Sequence, residues 1–336
     1  MEQPFLKPPT LPQSVSSKID YSLVKSTRSY VLCKSQESEI WIKREDELSA
    51  GVAGSKLRKY SSLVPYFKEK GIKVVGLIGG PNSNNLVGLS QLLKENDIQP
   101  IAFIREAADK TLRGNSLLLD MLLSEKEKIS ISRDAWDSAS SIAEKHLSKS
   151  GLPFFLLPEG AFVPEALPGG LTLAESVLDN EIQNGVFFDR IYIDCGTGLT
   201  AIALILGLEF LAPQIAKSRT LVVTLIAGNE ATFKEKLTQT RKTLNMGSQI
   251  STEPSCTIEF RRPALSPKFG SISKSLIKSC REIARNHGLL MDPTYSVKHF
   301  QSMIEDSQSL TEKSRCLFIF NGSPLGLMGF QSLLGT

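Results

Sequence analysis

What this chain lacks narrows its chemistry first. No uninterrupted apolar run reaches the roughly 18 residues that a membrane helix needs, and the opening MEQPFLKPPTLPQS is broken by proline, without the apolar core of a signal peptide. The five cysteines (Cys33, Cys195, Cys256, Cys280, Cys316) show no CxxC spacing, and the three histidines (His146, His287, His299) are scattered. These patterns speak against a disulfide framework and a zinc site, so a reducing, cytoplasmic setting without a membrane segment is expected. No GxxxxGK[ST], HExxH or GxSxG motif occurs, which removes the usual sequence support for P-loop, zincin and α/β-hydrolase chemistry. Charge of one sign is also missing: 39 basic against 35 acidic side chains leave +4, spread along the chain. No nucleic-acid or membrane footprint is expected, while a small anionic ligand remains open.

What is present is ordinary globular composition, 41% hydrophobic and 22% charged, over 336 residues. That is longer than one core usually grows, so two domains are expected. EIWIKRED (39–46) alternates like a strand, and KLRKYSSLVPYFKEKG (56–71) has helical spacing ending at Gly71. KVVGLIGG (73–80) is an apolar run of the kind found in buried parallel strands. Helix NNLVGLSQLLKEND, strand QPIAFIRE and helix GNSLLLDMLLSEK follow, then a helix over 134–151 and a strand in PFFLLPEGA. After the glycine-proline stretch PEALPGG, a helix in LTLAESVLDNEIQN leads into FDRIYIDCGTG, LTAIALILGLEFLA and TLVVTLIAG, which read as strand, helix and strand. Such alternation predicts an α/β fold with a second unit beginning near residue 167.

Two strand-glycine-helix junctions could bind anions. In VVGLIGGPNSNNLVG, Ser83, Asn84 and Asn85 stand at a helix entrance, where free amides and the helix dipole hold carboxylate or phosphate. Serine and asparagine are also simply good N-caps. In IYIDCGTGLTA, Gly196-x-Gly198-x-x-Ala201 satisfies a dinucleotide fingerprint. Its acidic partner would be Glu230, later than that rule wants; a phosphate cup built from the amides of Gly196 to Thr200 fits equally well. Cys195 reads as a small buried residue, and Glu45 with Asp46 as structural carboxylates. Lys56, at the start of a helix after the glycine-rich AGVAGS, would by itself be a solvated cation. Together, a lysine, a carboxylate site and a phosphate cup are what a pyridoxal phosphate enzyme requires.

The segments WIKREDELSAGVAGSKLRKY, GLIGGPNSNN, CGTGLT, GLLMDPTYSVKHF and LFIFNGSPLGLMGF, in that order, resemble the aminocyclopropane carboxylate deaminase and D-cysteine desulfhydrase family. The resemblance runs from about residue 5 to residue 331. It implies a fold-type II pyridoxal phosphate enzyme, similar to the tryptophan synthase β chain. Two open twisted α/β domains would hold the cofactor in the cleft between them, the large domain from 1–57 and 167–336 and the small one from 58–166. By resemblance, Lys56 is the Schiff-base lysine and Lys59 helps hold the phosphate, with Gly196, Thr197, Gly198, Leu199 and Thr200 forming the phosphate loop. Asn84 bonds the cofactor's phenolic oxygen. Ser83 and Asn85 take the substrate carboxylate, Ser83 being also a candidate for proton handling. Tyr295 lies over the cofactor as base or nucleophile, and Asn321 stands near the pyridine nitrogen, where its amide would donate to an unprotonated ring.

The resemblance implies β-elimination from a small amino acid such as D-cysteine to keto acid, ammonia and sulfide, in a homodimer. Ring-opening of aminocyclopropane carboxylate is the alternative activity. Phe269 stands where a second tyrosine is usual and Ser296 where the deaminases carry glutamate, both pointing to the desulfhydrase branch. A non-catalytic cofactor-binding relative and a dinucleotide-dependent oxidoreductase are the competing classes.

Overall fold

The computed structural model describes residues 9–35, 38–48, 54–107, 109, 111–244, 255–322 and 324–334. The start of the chain, residues 50–53 of the glycine-rich approach to Lys56 and Ser323 of FNGS lie outside them.

Among the described residues, ten strands form two sheets. The six-stranded sheet has the order β1-β2-β10-β7-β8-β9, formed by Ser29–Lys34, Ser38–Lys43, Ser314–Ile319, Arg190–Cys195, Thr220–Leu225 and Thr257–Arg261 respectively. Only its β1–β2 edge pair is antiparallel. The four-stranded sheet, order β5-β4-β3-β6, uses Lys128–Ile131, Gln99–Arg105, Val74–Gly79 and Phe154–Leu157, all parallel. β3 is buried along its whole length, as a continuous apolar run in a covered parallel sheet should be.

Nine helices of eight or more residues are described: α1 (Lys56–Glu69), α2 (Asn84–Glu95), α3 (Asn115–Leu122), α4 (Ala139–Ser148), α5 (Leu167–Asn184), α6 (Leu199–Leu211), α7 (Glu230–Thr243), α8 (Lys274–His287) and α9 (Ser296–Gln308). The α/β alternation read from the sequence is present, with differences at particular places. The alternating run EIWIKRED is strand only to Lys43; Glu45–Glu47 is a 3-10 turn. The helix expected over 134–151 is shorter, a 3-10 turn at Trp136–Ser138 leading into α4. PEALPGG is not a plain linker, because α5 begins at Leu167 and runs through Pro168-Gly169-Gly170. Proline is tolerated in a first helical turn, where its missing N–H has no intrahelical role. Gly169 is needed for packing: a side chain there would begin 2.0 Å from the Arg58 carbonyl oxygen of α1.

α5 and α6 pack on each other, and their Leu171, Val177, Ile202 and Ile205 share one core with Ile191 and Ile193 of β7, all fully buried. Each such side chain contributes about 1.5–3 kcal/mol of transfer free energy. A second core between α1, α2 and β3 uses Tyr60, Leu63, Phe67, Leu77, Leu86 and Leu93.

Strand order fixes where a ligand belongs. In the larger sheet, successive strands β7, β8 and β9 run one way from β7, while β10 lies on its other side; in the smaller, β3, β4 and β5 run one way and β6 lies on the other. Each boundary is a topological switch point, and open parallel sheets bind ligands at the carboxyl ends of strands there. The loops leaving these two points meet. Gly160, after β6, packs against Thr197, after β7, so closely that a side chain would begin 2.2 Å from the threonine Oγ1. Gly160 also has φ +71, where other L-residues are strained.

Candidate active site

Lys56 opens α1 and is only partly buried. The peptide before it is tied to the end of β10, with the Ser55 N–H donating to the Asn321 carbonyl oxygen at 3.4 Å. Burial pulls the Lys56 amine below its ordinary pKa, opposed by the nearby carboxylates of Asp194 and Asp292. Lys59, one turn on, is buried, donates to the Gly160 carbonyl and is pulled further down, first by burial and then by Lys56. Across the glycine turn, Lys236 of α7 donates to the Thr197 carbonyl at 3.0 Å. Two lysine side chains therefore stand beside the Gly196–Gly198 turn, one on its Gly160 neighbour and one on Thr197, next to the first amides of α6, which lack intrahelical acceptors as at any helix start. This donor set suits a phosphate.

The second junction is equally ordered. Ser83 caps α2, its Oγ accepting from the amides of Asn85 and Leu86 at 3.2 and 3.3 Å. Its own hydroxyl hydrogen stays available to donate. Asn115 of α3 donates to Asn84 Oδ1 at 2.6 Å and to the Asn82 carbonyl at 3.0 Å. That fixes the Asn84 amide with its NH2 group facing away from Asn115. The Asn85 side chain turns into the core, where its Oδ1 accepts from Tyr60 at 3.0 Å.

Tyr295 immediately precedes α9, and its ring comes 3.4 Å from where a Gly196 side chain would begin. Asp292 organises this turn: Oδ1 accepts from the amides of Thr294 and Tyr295, and Oδ2 from the Ser296 hydroxyl at 2.7 Å. Burial raises the Tyr295 phenol well above its ordinary pKa, with Asp292, Asp194 and Glu159 adding to it. The hydroxyl is thus held protonated and faces the site as a hydrogen-bond donor. Phe269 packs edge-on against Tyr295.

Asn321 differs most from expectation. Its Nδ2 donates to Asp194 Oδ1 at 2.8 Å, and its Oδ1 is buried without a hydrogen-bond partner. An ionised carboxylate only accepts, so the amide orientation follows from this bond. The atom left over is an acceptor, the reverse of a donor toward an unprotonated ring.

The three carboxylates weighed from sequence, Glu45, Asp46 and Glu230, lie elsewhere. Arg58 is bound by Glu45 at 2.6 Å and by Thr172, away from the glycine loop, and Asp46 pairs with Arg44 at 2.7 Å. Burial pushes the Cys195 thiol up to about 12, opposite to an activated nucleophile. Glu230 lies on the first turn of α7, paired with Lys234 at 2.7 Å. Asp194, Asn115 and Lys236 were missed. Asp194, an acid at the carboxyl end of a parallel strand, carried a usable signal; the other two reach the site from distant helices.

No family model matches the chain. It is 27% identical over 317 residues to a Thermotoga maritima protein named "Putative 1-aminocyclopropane-1-carboxylate deaminase", covering 92% of this chain and 97% of that one. To the D-cysteine desulfhydrase of Serratia proteamaculans it is 22% identical over 300 residues, covering 87% and 89%. Over most of its length the chain is thus similar to proteins named as aminocyclopropane carboxylate deaminases and as D-cysteine desulfhydrases. In three dimensions it overlays an ACC deaminase homologue with a TM-score of 0.78 at 21% identity, over 96% of this chain and 98% of the other. The fold is that of the fold-type II pyridoxal phosphate enzymes. Among the described residues, no helix is long and apolar enough to cross a membrane.

Proposed function

We propose that this protein is a pyridoxal phosphate-dependent lyase of the D-cysteine desulfhydrase type, eliminating the β-substituent of a small amino acid to give keto acid, ammonia and, from cysteine, sulfide. The observation that carries this reading is the convergence of Lys56, the Lys59–Gly196–Lys236 cradle and Tyr295 on the two switch points of the fold. The same proposal divides the chain into a large domain, 1–57 with 167–336, and a small one, 58–166, matching the membership of the two sheets. A cytoplasmic homodimer belongs to it as well, supported by the free cysteines and by the resemblance.

The residues fit the cofactor. Lys59, Lys236 and the amides from Gly196 to Thr200 would hold its phosphate, Asn84 Nδ2 its phenolic oxygen, and Lys56 its aldehyde carbon. Bound pyridoxal phosphate supplies a carbonyl that captures amines and an electron sink for the α-carbon. Ser83 Oγ and the opening of α2 bind the substrate carboxylate. With its pKa lowered by burial, Lys56 Nζ is more readily neutral, as nucleophilic and base roles require, and takes the α-proton. The Cβ–S bond breaks with its electron pair on sulfur. Tyr295 Oη, held protonated, donates a hydrogen bond to the departing sulfur, which leaves as hydrosulfide with its own hydrogen.

A second reading, ring-opening of aminocyclopropane carboxylate to 2-oxobutanoate and ammonia, is favoured by the name of the Thermotoga relative. Phe269 beside Tyr295 leaves only one phenol at this position, which favours the first. Purified protein supplied with pyridoxal phosphate is assayed against D-cysteine, D-serine, L-serine and aminocyclopropane carboxylate. Sulfide and pyruvate from D-cysteine, lost in Lys56→Ala, support the proposal; exclusive 2-oxobutanoate formation supports the alternative. No turnover of any substrate contradicts both.

A further inference from the structure

The end of β10 and the end of β7 are joined by a side-chain pair in which the resemblance places Asn321 near the pyridine nitrogen and gives Asp194 no role. Asp194 accepts from Asn321 Nδ2 at 2.8 Å, across the β7–β10 switch point, and the amide oxygen of Asn321 stays buried and unpartnered. A buried acceptor without a partner costs stability unless something bonds it, and Asn321 Oδ1 stands at a switch point, where open parallel sheets bind ligands. The other polar side chain at this corner cannot serve: the Ser296 hydroxyl, 2.5 Å from where a Gly322 side chain would begin, donates to Asp292.

We propose that Asp194 locks the Asn321 amide with its oxygen toward the cofactor's pyridine nitrogen, so that this nitrogen is held protonated. Asp194 acts through Asn321 and is a positioning residue. The inference rests on the pyridoxal phosphate reading of the site. A hydroxyl in place of the amide could donate or accept and would leave the ring's protonation undecided. An amide whose NH2 is bound to a carboxylate can only accept with the atom that remains, and the carboxylate polarises it into a better acceptor. An unprotonated ring would set its lone pair against that oxygen. The charged and titratable groups that feel Asp194 are Lys56, Cys195, Tyr295 and His299. None of these bonds Asn321 Oδ1, and His299 Nδ1 is engaged with Thr224 Oγ1 at 2.9 Å. The negative charge of Asp194 thus reaches the ring through one neutral amide, a weaker coupling than a carboxylate in direct contact.

The test is the nitrogen-15 NMR signal of holoprotein reconstituted with pyridoxal phosphate labelled at the ring nitrogen, recorded from neutral pH to about 9. The expected signal is that of a protonated ring, moving to the unprotonated position in Asp194→Asn and Asp194→Leu. Asp194→Asn combined with Asn321→Asp restores it, because a carboxylate then contacts the ring directly. An unprotonated ring in the unsubstituted protein overturns the proposal, as does a signal unaffected by Asp194→Asn. If the Asp194 variants do not fold, the unsubstituted protein and Asn321→Leu, expected to be unprotonated, decide it. The visible band of lysine-bound cofactor separates the two levels: present with an unprotonated ring, only this inference fails; absent altogether, the reading of the site fails with it.

Discussion

Phe269 lies edge-on to Tyr295, with ring centroids 5.7 Å apart and planes at 65°. The segment carrying Phe269 is pinned by Lys298 of α9, whose ammonium donates to the carbonyls of Ser266 and Lys268 at 2.6 and 3.1 Å. The aromatic at 269 is therefore held beside the one phenol of this corner, and the choice of phenylalanine over tyrosine sets how many hydroxyls stand there.

Phe269→Tyr adds a hydroxyl at a position that is 54% exposed and needs no repacking of the core. Release of 2-oxobutanoate from aminocyclopropane carboxylate is expected to rise at least tenfold, about 1.4 kcal/mol of barrier, while D-cysteine turnover changes much less. Parallel assays of the two keto acids check this.

Asn115 orients Asn84 and touches no substrate. Asn115→Ala removes the bond that fixes the amide, so Asn84 loses its preferred donor direction. An expected loss of about 1–2 kcal/mol corresponds to roughly five- to thirtyfold weaker cofactor binding. Titration of apoprotein with pyridoxal phosphate, followed by visible absorption, measures it.

How much of this was legible beforehand differs by level. Alternation of strand and helix from residue 56 onward was readable because the strands are covered on both faces and so read as apolar runs. The start of α5 was hidden by Pro168-Gly169-Gly170, which looks like a linker until Arg58 is seen to press on it. Strands Ser29–Lys34, Lys128–Ile131 and Thr257–Arg261 went unread, being edge strands with mixed composition. At the site, Lys56 and Ser83 were singled out by the junctions they stand at, and their roles, with Tyr295, came through the family resemblance. The orientation of Asn321 was not, because it depends on Asp194, 127 residues away, and no local pattern records that partner.

Arg58 and Lys59 are adjacent in sequence but differ in role. The guanidinium of Arg58 and the carboxylate of Glu45 form a pair with 2% and 0% side-chain exposure. Removing one partner of such a pair leaves a buried charge and costs about 3–5 kcal/mol. Glu45→Ala is expected to lower the midpoint of thermal unfolding strongly while the folded fraction keeps its affinity for pyridoxal phosphate. Lys59→Met shows the opposite pattern: cofactor affinity falls and the apoprotein stays folded. Paired thermal scans and cofactor titrations distinguish them.

Two pKa shifts set the pH response. Lys56 lies below its ordinary 10.5, so its neutral form gains as pH rises toward that lowered value. Tyr295 lies above its ordinary 10.0, so its proton is retained through the neutral and mildly alkaline range. Turnover is expected to rise with pH on the lysine limb and to fall only above about 10. Linkage has the same sign for stability. The unfolded apoprotein binds the Lys56 proton more tightly than the folded one, so folding gains stability as pH rises between the two pKa values. Lys56→Met removes that dependence and is expected to raise the apoprotein's unfolding midpoint at pH 7, with the advantage shrinking toward pH 10.5.

The measurement that bears most directly on the account is the site of cofactor attachment. Protein incubated with pyridoxal phosphate is reduced with borohydride, digested and analysed by peptide mass spectrometry. A phosphopyridoxyl group on Lys56, absent from Lys59 and Lys236, is the predicted result. Labelling of another lysine, or no labelling in protein that remains folded, would contradict the assignment of Lys56 as the residue that holds the cofactor.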